Sequence, residues 1–220
     1  MKKTAYTILT AALLATTASI PVSANESGSH VITPQISTES SISLEPGNIS
    51  DGVTVSEVKT FDEIVKEISD DMDISMNEAI TLLKESSGNS SKSDAQLAAT
   101  TYRTFSKYLD VSSYYKPQLK FYCQTTEGGG SFRGIVQILT YQLLREHNGT
   151  TKQFSGTLYT NLEHANKIHW IVNGDFFNYG TTTVSGGGAV GLKGFGEMNF
   201  TITNEANHFR YHYEEGDFLY

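Results

Sequence analysis

The sequence predicts a mainly β protein: an antiparallel β-sandwich or barrel of about eight strands, preceded by a short two-helix segment. Three observations point there. Past residue 97 the chain holds 22 of its 24 aromatic residues, many β-branched residues and one proline, Pro117. Clusters of glycine and asparagine recur in that stretch at strand-sized intervals. Helical spacing of apolar residues is confined to residues 60–87.

Residues 1–24 have the three-part pattern of a cleavable secretory signal peptide. Lys2 and Lys3 supply positive charge, an apolar stretch runs from Ala5 to Ile20, Pro21 breaks it, and Val22-Ser23-Ala24 offers small residues for cleavage. The stretch is short and threonine-rich for a spanning helix, and no cysteine stands nearby to take a lipid. The expected mature chain, 25–220, is therefore secreted, with no stable membrane anchor after cleavage. It carries 14 basic and 24 acidic residues, a net charge of −10. All of that excess lies in residues 25–97, with 14 acids and 4 bases, while residues 98–220 carry 10 of each. Neither part has the basic footprint that nucleic-acid binding needs. Cys123 is the single cysteine, so no intramolecular disulfide can form. An exported domain without disulfides must be held by its core, which suits an extracellular protein of a Gram-positive bacterium.

Residues 25–59 are rich in Ser, Thr, Glu and Gly, and read as a disordered linker. Phe61, Ile64, Val65, Ile68 and Met72 then fall at helical spacing behind a capping box of Thr60 and Glu63. Ser75 and Glu78 repeat the box before Met76, Ala79, Ile80 and Leu83, and Gly88 stands at a C-terminal cap position. The segment 60–88 thus reads as a helical hairpin. It has too little core to stand alone and must pack on the remainder of the protein or on a partner. Residues 89–97 form a second polar linker.

Strands are expected near 100–109, 118–126, 131–144, 151–162, 167–178, 181–186, 189–203 and 207–214, making 98–220 one β domain. Turns are placed at Glu127–Gly130, Asn148-Gly149, Glu163–Asn166, Asn178–Gly180, Gly186–Gly188 and Asn204–Asn207. Leu119, Phe121 and Cys123 alternate with Lys120, Tyr122 and Gln124. Ile168, Trp170 and Val172 alternate with His169 and Asn173. Residues 131–144 are apolar on both faces and so belong in the middle of a sheet. Asn173-Gly174 and Gly194-Phe195-Gly196 suggest bulges within strands.

Few residues suggest chemistry. His208 and His212 share the spacing of two metal ligands, but on a strand they would stand roughly 13 Å apart. No third ligand accompanies them, so they read as two solvent-side histidines. Cys123 could be a nucleophile, yet its phase with Leu119 and Phe121 predicts a buried, inert thiol. Asp175 lies among large apolar residues, where a carboxylate could act as general acid or base with Glu163 or a histidine, as in a secreted hydrolase. It could equally pair with Arg103 or Arg133. The glycine clusters lack the helix and Lys-Ser or Lys-Thr pair of a phosphate loop. No cofactor is implied. Residues 180–196, rich in Thr, Ser and Gly, could insert into a membrane as a toxin hairpin, although they alternate poorly.

The run Lys152-Gln153-Phe154-Ser155-Gly156-Thr157-Leu158-Tyr159, followed by Trp170-Ile171-Val172-Asn173-Gly174-Asp175-Phe176, resembles a group of small secreted proteins of Gram-positive bacteria that carry a β-rich domain of unknown function. The resemblance implies secretion and a β-rich fold over about 98–220, and it assigns no catalytic residue. The reading that remains is a non-enzymatic β-sandwich that binds an extracellular or cell-surface ligand.

Overall fold

The computed structural model describes residues 52–86, 100–128 and 133–220. The signal segment, most of the first linker, Gly88 and the second linker lie outside the described residues. The elements in chain order are β1 (Val53–Val55), α1 (Phe61–Met72), α2 (Met76–Ser86), β2 (Thr101–Tyr108), β3 (Gln118–Glu127), β4 (Arg133–Leu144), β5 (Glu146–His147), β6 (Thr150–Thr151), β7 (Gln153–His164), β8 (Lys167–Gly186), β9 (Val190–Gly191) and β10 (Phe195–Leu219).

Two main antiparallel sheets result, with β5 and β6 paired as a separate two-stranded ribbon. The front sheet has the order β1-β2-β3-β4-β9. The back sheet contains β7, β8 and β10, each paired with both of the others. Their inward side chains make one core. Phe105 and Phe121 of the front sheet meet Phe218 of the back sheet edge-on, with ring centroids 6.2 and 5.2 Å apart. Leu119, Phe121, Cys123, Ile168, Trp170 and Val172 all lie in that core, as their alternation predicts.

The helical pair packs on the outer side of the front sheet. Ile64, Val65, Ile68, Ala79 and Leu83 form a second apolar cluster with Tyr102, Tyr122 and Leu139. That explains why β4 is apolar on both sides: Ile138 enters the central core and Leu139 the layer under the helices. Both capping boxes are formed. The Thr60 hydroxyl accepts from the Glu63 amide while Glu63 accepts from the Thr60 amide, and Ser75 and Glu78 do the same.

Four expectations need correction. The linker read at 25–59 includes a strand, because Val53 and Val55 alternate into the core and complete the front sheet beside β2. The turns placed at Asn178–Gly180 and Asn204–Asn207 do not reverse the chain. Tyr179 pairs with Ala206, and the register slips between Thr203 and Ala206. Gly180, Asn204 and Asn207, at φ of 134°, 54° and 60°, lie together and bend the β8–β10 ribbon, so their turn chemistry is used for curvature.

The long strand placed at 189–203 is interrupted. β9 pairs with β4, and a tight turn at Leu192–Gly194 precedes β10, where the Gly194 amide donates to the Gly191 carbonyl at 2.8 Å. Lastly, Asn173-Gly174 carries no bulge against β7. Gly174 instead lies so close to that strand that a Cβ on it would come within 2.3 Å of the Ser155 carbonyl oxygen and 2.7 Å of the Gly156 Cα.

Candidate functional site: the uncovered face of the back sheet

The outer side of the front sheet is closed by apolar contact and by charge. Lys59 and the Thr104 hydroxyl each stand 2.5 Å from the Glu67 carboxylate, and Lys120 lies 2.6 Å from Asp71. The Tyr122 hydroxyl donates to Asp71 at 2.7 Å and accepts from the Gln142 amide at 2.6 Å. Burial opposes ionisation of Glu67, but hydrogen bonds from Lys59 and Thr104, with Lys120 nearby, hold its carboxyl below the ordinary range. Burial, reinforced by Asp71, pushes the Tyr122 hydroxyl far up. The network fixes α1 on the sheet, and beside it Asp70, Asp71, Gln118 and Lys120 line an open polar cavity of about 410 Å³.

The outer side of the back sheet is different. Strand register sets its side chains in rows. Tyr213, Asn173, Thr157 and Asn199 stand side by side across β10, β8, β7 and the first part of β10. Glu215, Ile171, Tyr159 and Glu197 form the next row, and Asp217, His169, Asn161 and Phe195 the one after. Tyr211 and Asp175 lie on the other flank of the first row. Among the described residues no helix lies over these rows. Tyr211, Tyr213 and Phe195 are 54%, 51% and 73% exposed, and it is their place on one face, not exposure alone, that is informative, since Tyr108, Tyr114 and Tyr179 are as exposed elsewhere.

Hydrogen bonds organise the face. The Tyr211 hydroxyl donates to the Asn173 Oδ1 at 2.8 Å and the Tyr213 hydroxyl to Glu215 at 2.5 Å, which pushes the Tyr213 hydroxyl up from its ordinary value. Tyr159 and Phe195 stack, 6.1 Å between centroids and 22° between planes. Asp217 lies 2.9 Å from His169 and 3.1 Å from Lys167. Burial opposes its ionisation, and those two partners more than offset it, holding the carboxyl low.

The sequence candidates are spread over this architecture. Asp175 points outward with its side chain 42% exposed, and its Oδ1 is 2.7 Å from the His208 Nε2. Arg103 and Arg133, proposed as its partners, both pair with Glu127 instead. Glu163 pairs with Lys167 at 3.0 Å, at the start of β8, whereas Asp175 lies near the middle of that strand. The register puts it some eight residues from Asp175, roughly 25 Å along a strand, against the roughly 5–9.5 Å that paired glycosidase carboxylates span. Asp175 and Glu163 therefore do not act as a pair.

His208 and His212 do not share a face, which corrects the reading of two solvent-side histidines. Phe209 is an extra residue in β10, between the pairs His208–Phe177 and Arg210–Phe176. It flips the alternation, so His208 stays outside while the His212 side chain is 10% exposed, 3.1 Å from Glu214 and near the Phe176 ring. Cys123 is fully buried, and burial raises its thiol well above the ordinary range, as its phase predicts. Among the described residues no group of three or more His, Cys, Asp and Glu side chains could hold a metal ion.

Sequence reasoning placed Tyr211 and Tyr213 on a strand and gave them no role. Their spacing of two was the available signal. Their four-strand neighbourhood was not, because it depends on pairing between segments distant in sequence. Lys152 was also missed. It is 6% exposed, donates to the Asn178 Oδ1 at 2.6 Å and lies 3.9 Å from the centre of the Phe209 ring, inside the end of the sandwich.

No protein-family model, curated protein or solved structure matches the chain.

Proposed function

We propose that this chain is a secreted, non-enzymatic recognition module that binds an extracellular or cell-surface ligand through the uncovered face of its back sheet. One observation carries the reading: three large aromatic side chains, more than half exposed, share the outer face of the back sheet with asparagine, threonine and carboxylate groups. Aromatic rings supply contact area at small entropic cost, and the polar groups between them supply orientation. The carboxylates that could have served hydrolysis are separated along β8, which weakens the enzymatic alternative.

The test is direct. The chain from residue 25 to 220 is screened against arrayed glycans and against proteins extracted from bacterial cell surfaces, alongside the double variant Tyr211→Ala/Tyr213→Ala. A ligand bound by the parent and released by the double variant, with an unchanged unfolding curve, supports the reading. A screen without a specific ligand, or a ligand that ignores both substitutions, defeats it.

A further inference from the structure

The register builds one compact patch on the back-sheet face. Tyr211, Asp175 and Ser155 stand side by side across β10, β8 and β7, and Tyr213, Asn173 and Thr157 form the row beside them. Strands lie about 4.8 Å apart and alternate residues about 6.8 Å apart along a strand, so the six side chains cover roughly 10 by 7 Å. Between the two rows Gly156 pairs with Gly174, and a Cβ on Gly156 would collide with the Asn173 carbonyl oxygen, so this close approach of β7 and β8 requires the glycines.

Hydrogen bonds orient the patch without saturating it. The Tyr211 hydroxyl donates to the Asn173 Oδ1 at 2.8 Å, and the His208 Nε2 lies 2.7 Å from the Asp175 Oδ1. Among the described residues the Asn173 Nδ2, the Asp175 Oδ2 and the Ser155 and Thr157 hydroxyls have no hydrogen-bond partner. The patch therefore offers a fixed donor, a fixed acceptor and two hydroxyls that are both, beside two half-exposed rings.

Three classes of ligand meet this surface unequally. An anionic polymer meets the carboxylates of Asp175, Glu197, Glu215 and Asp217, with Lys167, beside Asp217, as the one permanent cation of the face among the described residues. The core of a protein interface favours Met and Arg with its aromatic residues and sheds Asp and Glu. Here a carboxylate stands in the middle of the patch, and the surrounding rows contain neither Met nor Arg. A neutral sugar suits both halves. Its C–H groups pack on the electron-rich face of an aromatic ring. Each of its hydroxyls is donor and acceptor at once, so two adjacent ones satisfy the Asp175 Oδ2 and the Asn173 Nδ2 together.

We infer that the back-sheet face takes a neutral oligosaccharide, with one pyranose ring packed on Tyr211 and Tyr213 and two adjacent hydroxyls held by Asp175 and Asn173. The inference rests on the proposed reading of this face as a binding surface and names the class of its ligand.

The test titrates the 25–220 chain with neutral oligomers of glucose, mannose, galactose and N-acetylglucosamine, and with galacturonate oligomers and phosphorylated glycans of the same length. Ligand-observed nuclear magnetic resonance and calorimetry read the binding. At least one neutral glycan is expected to bind, with the charged ones at least tenfold weaker. Tyr211→Ala/Tyr213→Ala is expected to weaken binding at least tenfold, and Asn173→Ala or Asp175→Ala several-fold. Tyr213→Phe, which keeps the ring, and Tyr108→Ala, at an equally exposed tyrosine of the front sheet, are expected to change it less than twofold. An unchanged unfolding curve for each variant separates lost contact from lost fold. Binding confined to anionic glycans, or a neutral glycan that ignores the aromatic double variant, overturns the inference. A protein ligand released by that variant overturns it too, yet leaves the face a binding surface. A chain that binds neither glycan nor protein defeats both readings.

Discussion

The outward side chains of the front sheet include Tyr102, Thr104, Lys120, Tyr122 and Leu139, and two helices cover them. Those of the back sheet include Thr157, Tyr159, Asn173, Asp175, Tyr211 and Tyr213, and among the described residues nothing covers them. Both faces mix aromatic and polar groups in similar proportion, so composition does not separate them. What separates them is where the polar groups find partners. On the front sheet the partners come from α1, and burying the face completes the hydrogen bonds. On the back sheet the partners are neighbours on the same face, so no covering layer is needed. A face satisfied within its own plane can remain open to a ligand.

The largest effect that sharpens this contrast is expected on the covered side. Ile68 is fully buried between α1 and the sheet. Ile68→Ala should cost about 3 kcal/mol, the usual range for a buried isoleucine cut to alanine. Denaturant unfolding measures it, and a loss under 1 kcal/mol would mean that the helical layer is not part of the cooperative fold.

A second effect tests the join between the sheets. Glu127 accepts two parallel hydrogen bonds from Arg103, at 2.9 and 3.0 Å, and one from the hydroxyl of Tyr220, next after β10, at 2.6 Å. Burial opposes its ionisation, yet Arg103, Tyr220 and Thr125 lower the Glu127 carboxyl to about 2. A carboxyl lowered by folding adds stability above its unfolded value near 4.5, and that stability is lost as pH falls through about 2. Glu127→Gln should therefore cost about 2 kcal/mol at neutral pH, with a smaller loss of stability than the parent between pH 4.5 and 2. Parallel acid-unfolding curves for the two proteins would refute that assignment.

Much of this fold is legible in sequence, for local reasons. The capping boxes at Thr60 and Ser75, the helical spacing behind them and the alternation in 118–124 and 167–173 each depend on residues within one element. The errors share a different cause. Asn178–Gly180 and Asn204–Asn207 carry turn chemistry, but whether such residues reverse a strand or bend a paired ribbon depends on what lies opposite, and here each lies opposite the other. Phe209 shifts the register by one residue, which no periodicity announces, and so His212 moved from the solvent side to the core side. The uncovered face was half visible: Tyr211 and Tyr213 repeat at a spacing of two, but their proximity to Tyr159 and Phe195 needs the pairing of β7 with both β8 and β10.

A smaller effect is expected at the start of the covering layer. Thr60→Ala removes one half of the first capping box and should cost about 1 kcal/mol. The Glu63 carboxyl, which the Thr60 backbone and side-chain hydrogen bonds hold below its ordinary range, should move upward in a carboxyl titration by nuclear magnetic resonance. An unmoved Glu63 would show that the box is not formed in solution.

The smallest effect on stability belongs to the open face and is the most informative. Tyr213 makes its hydrogen bond to Glu215, two residues along the same strand, and its ring is half in solvent. Removing it exposes no core and leaves no buried group unpaired, so Tyr213→Ala should change the unfolding free energy by less than about 0.5 kcal/mol. Tyr122, an aromatic on the covered face, provides the control. Tyr122→Ala deletes a buried ring and leaves Asp71 and Gln142 without their shared hydroxyl, so it should destabilise the fold by several-fold more. If Tyr213→Ala proved as damaging as Tyr122→Ala, the back-sheet face would be a structural surface awaiting a cover, and its exposed rings would no longer point to a ligand.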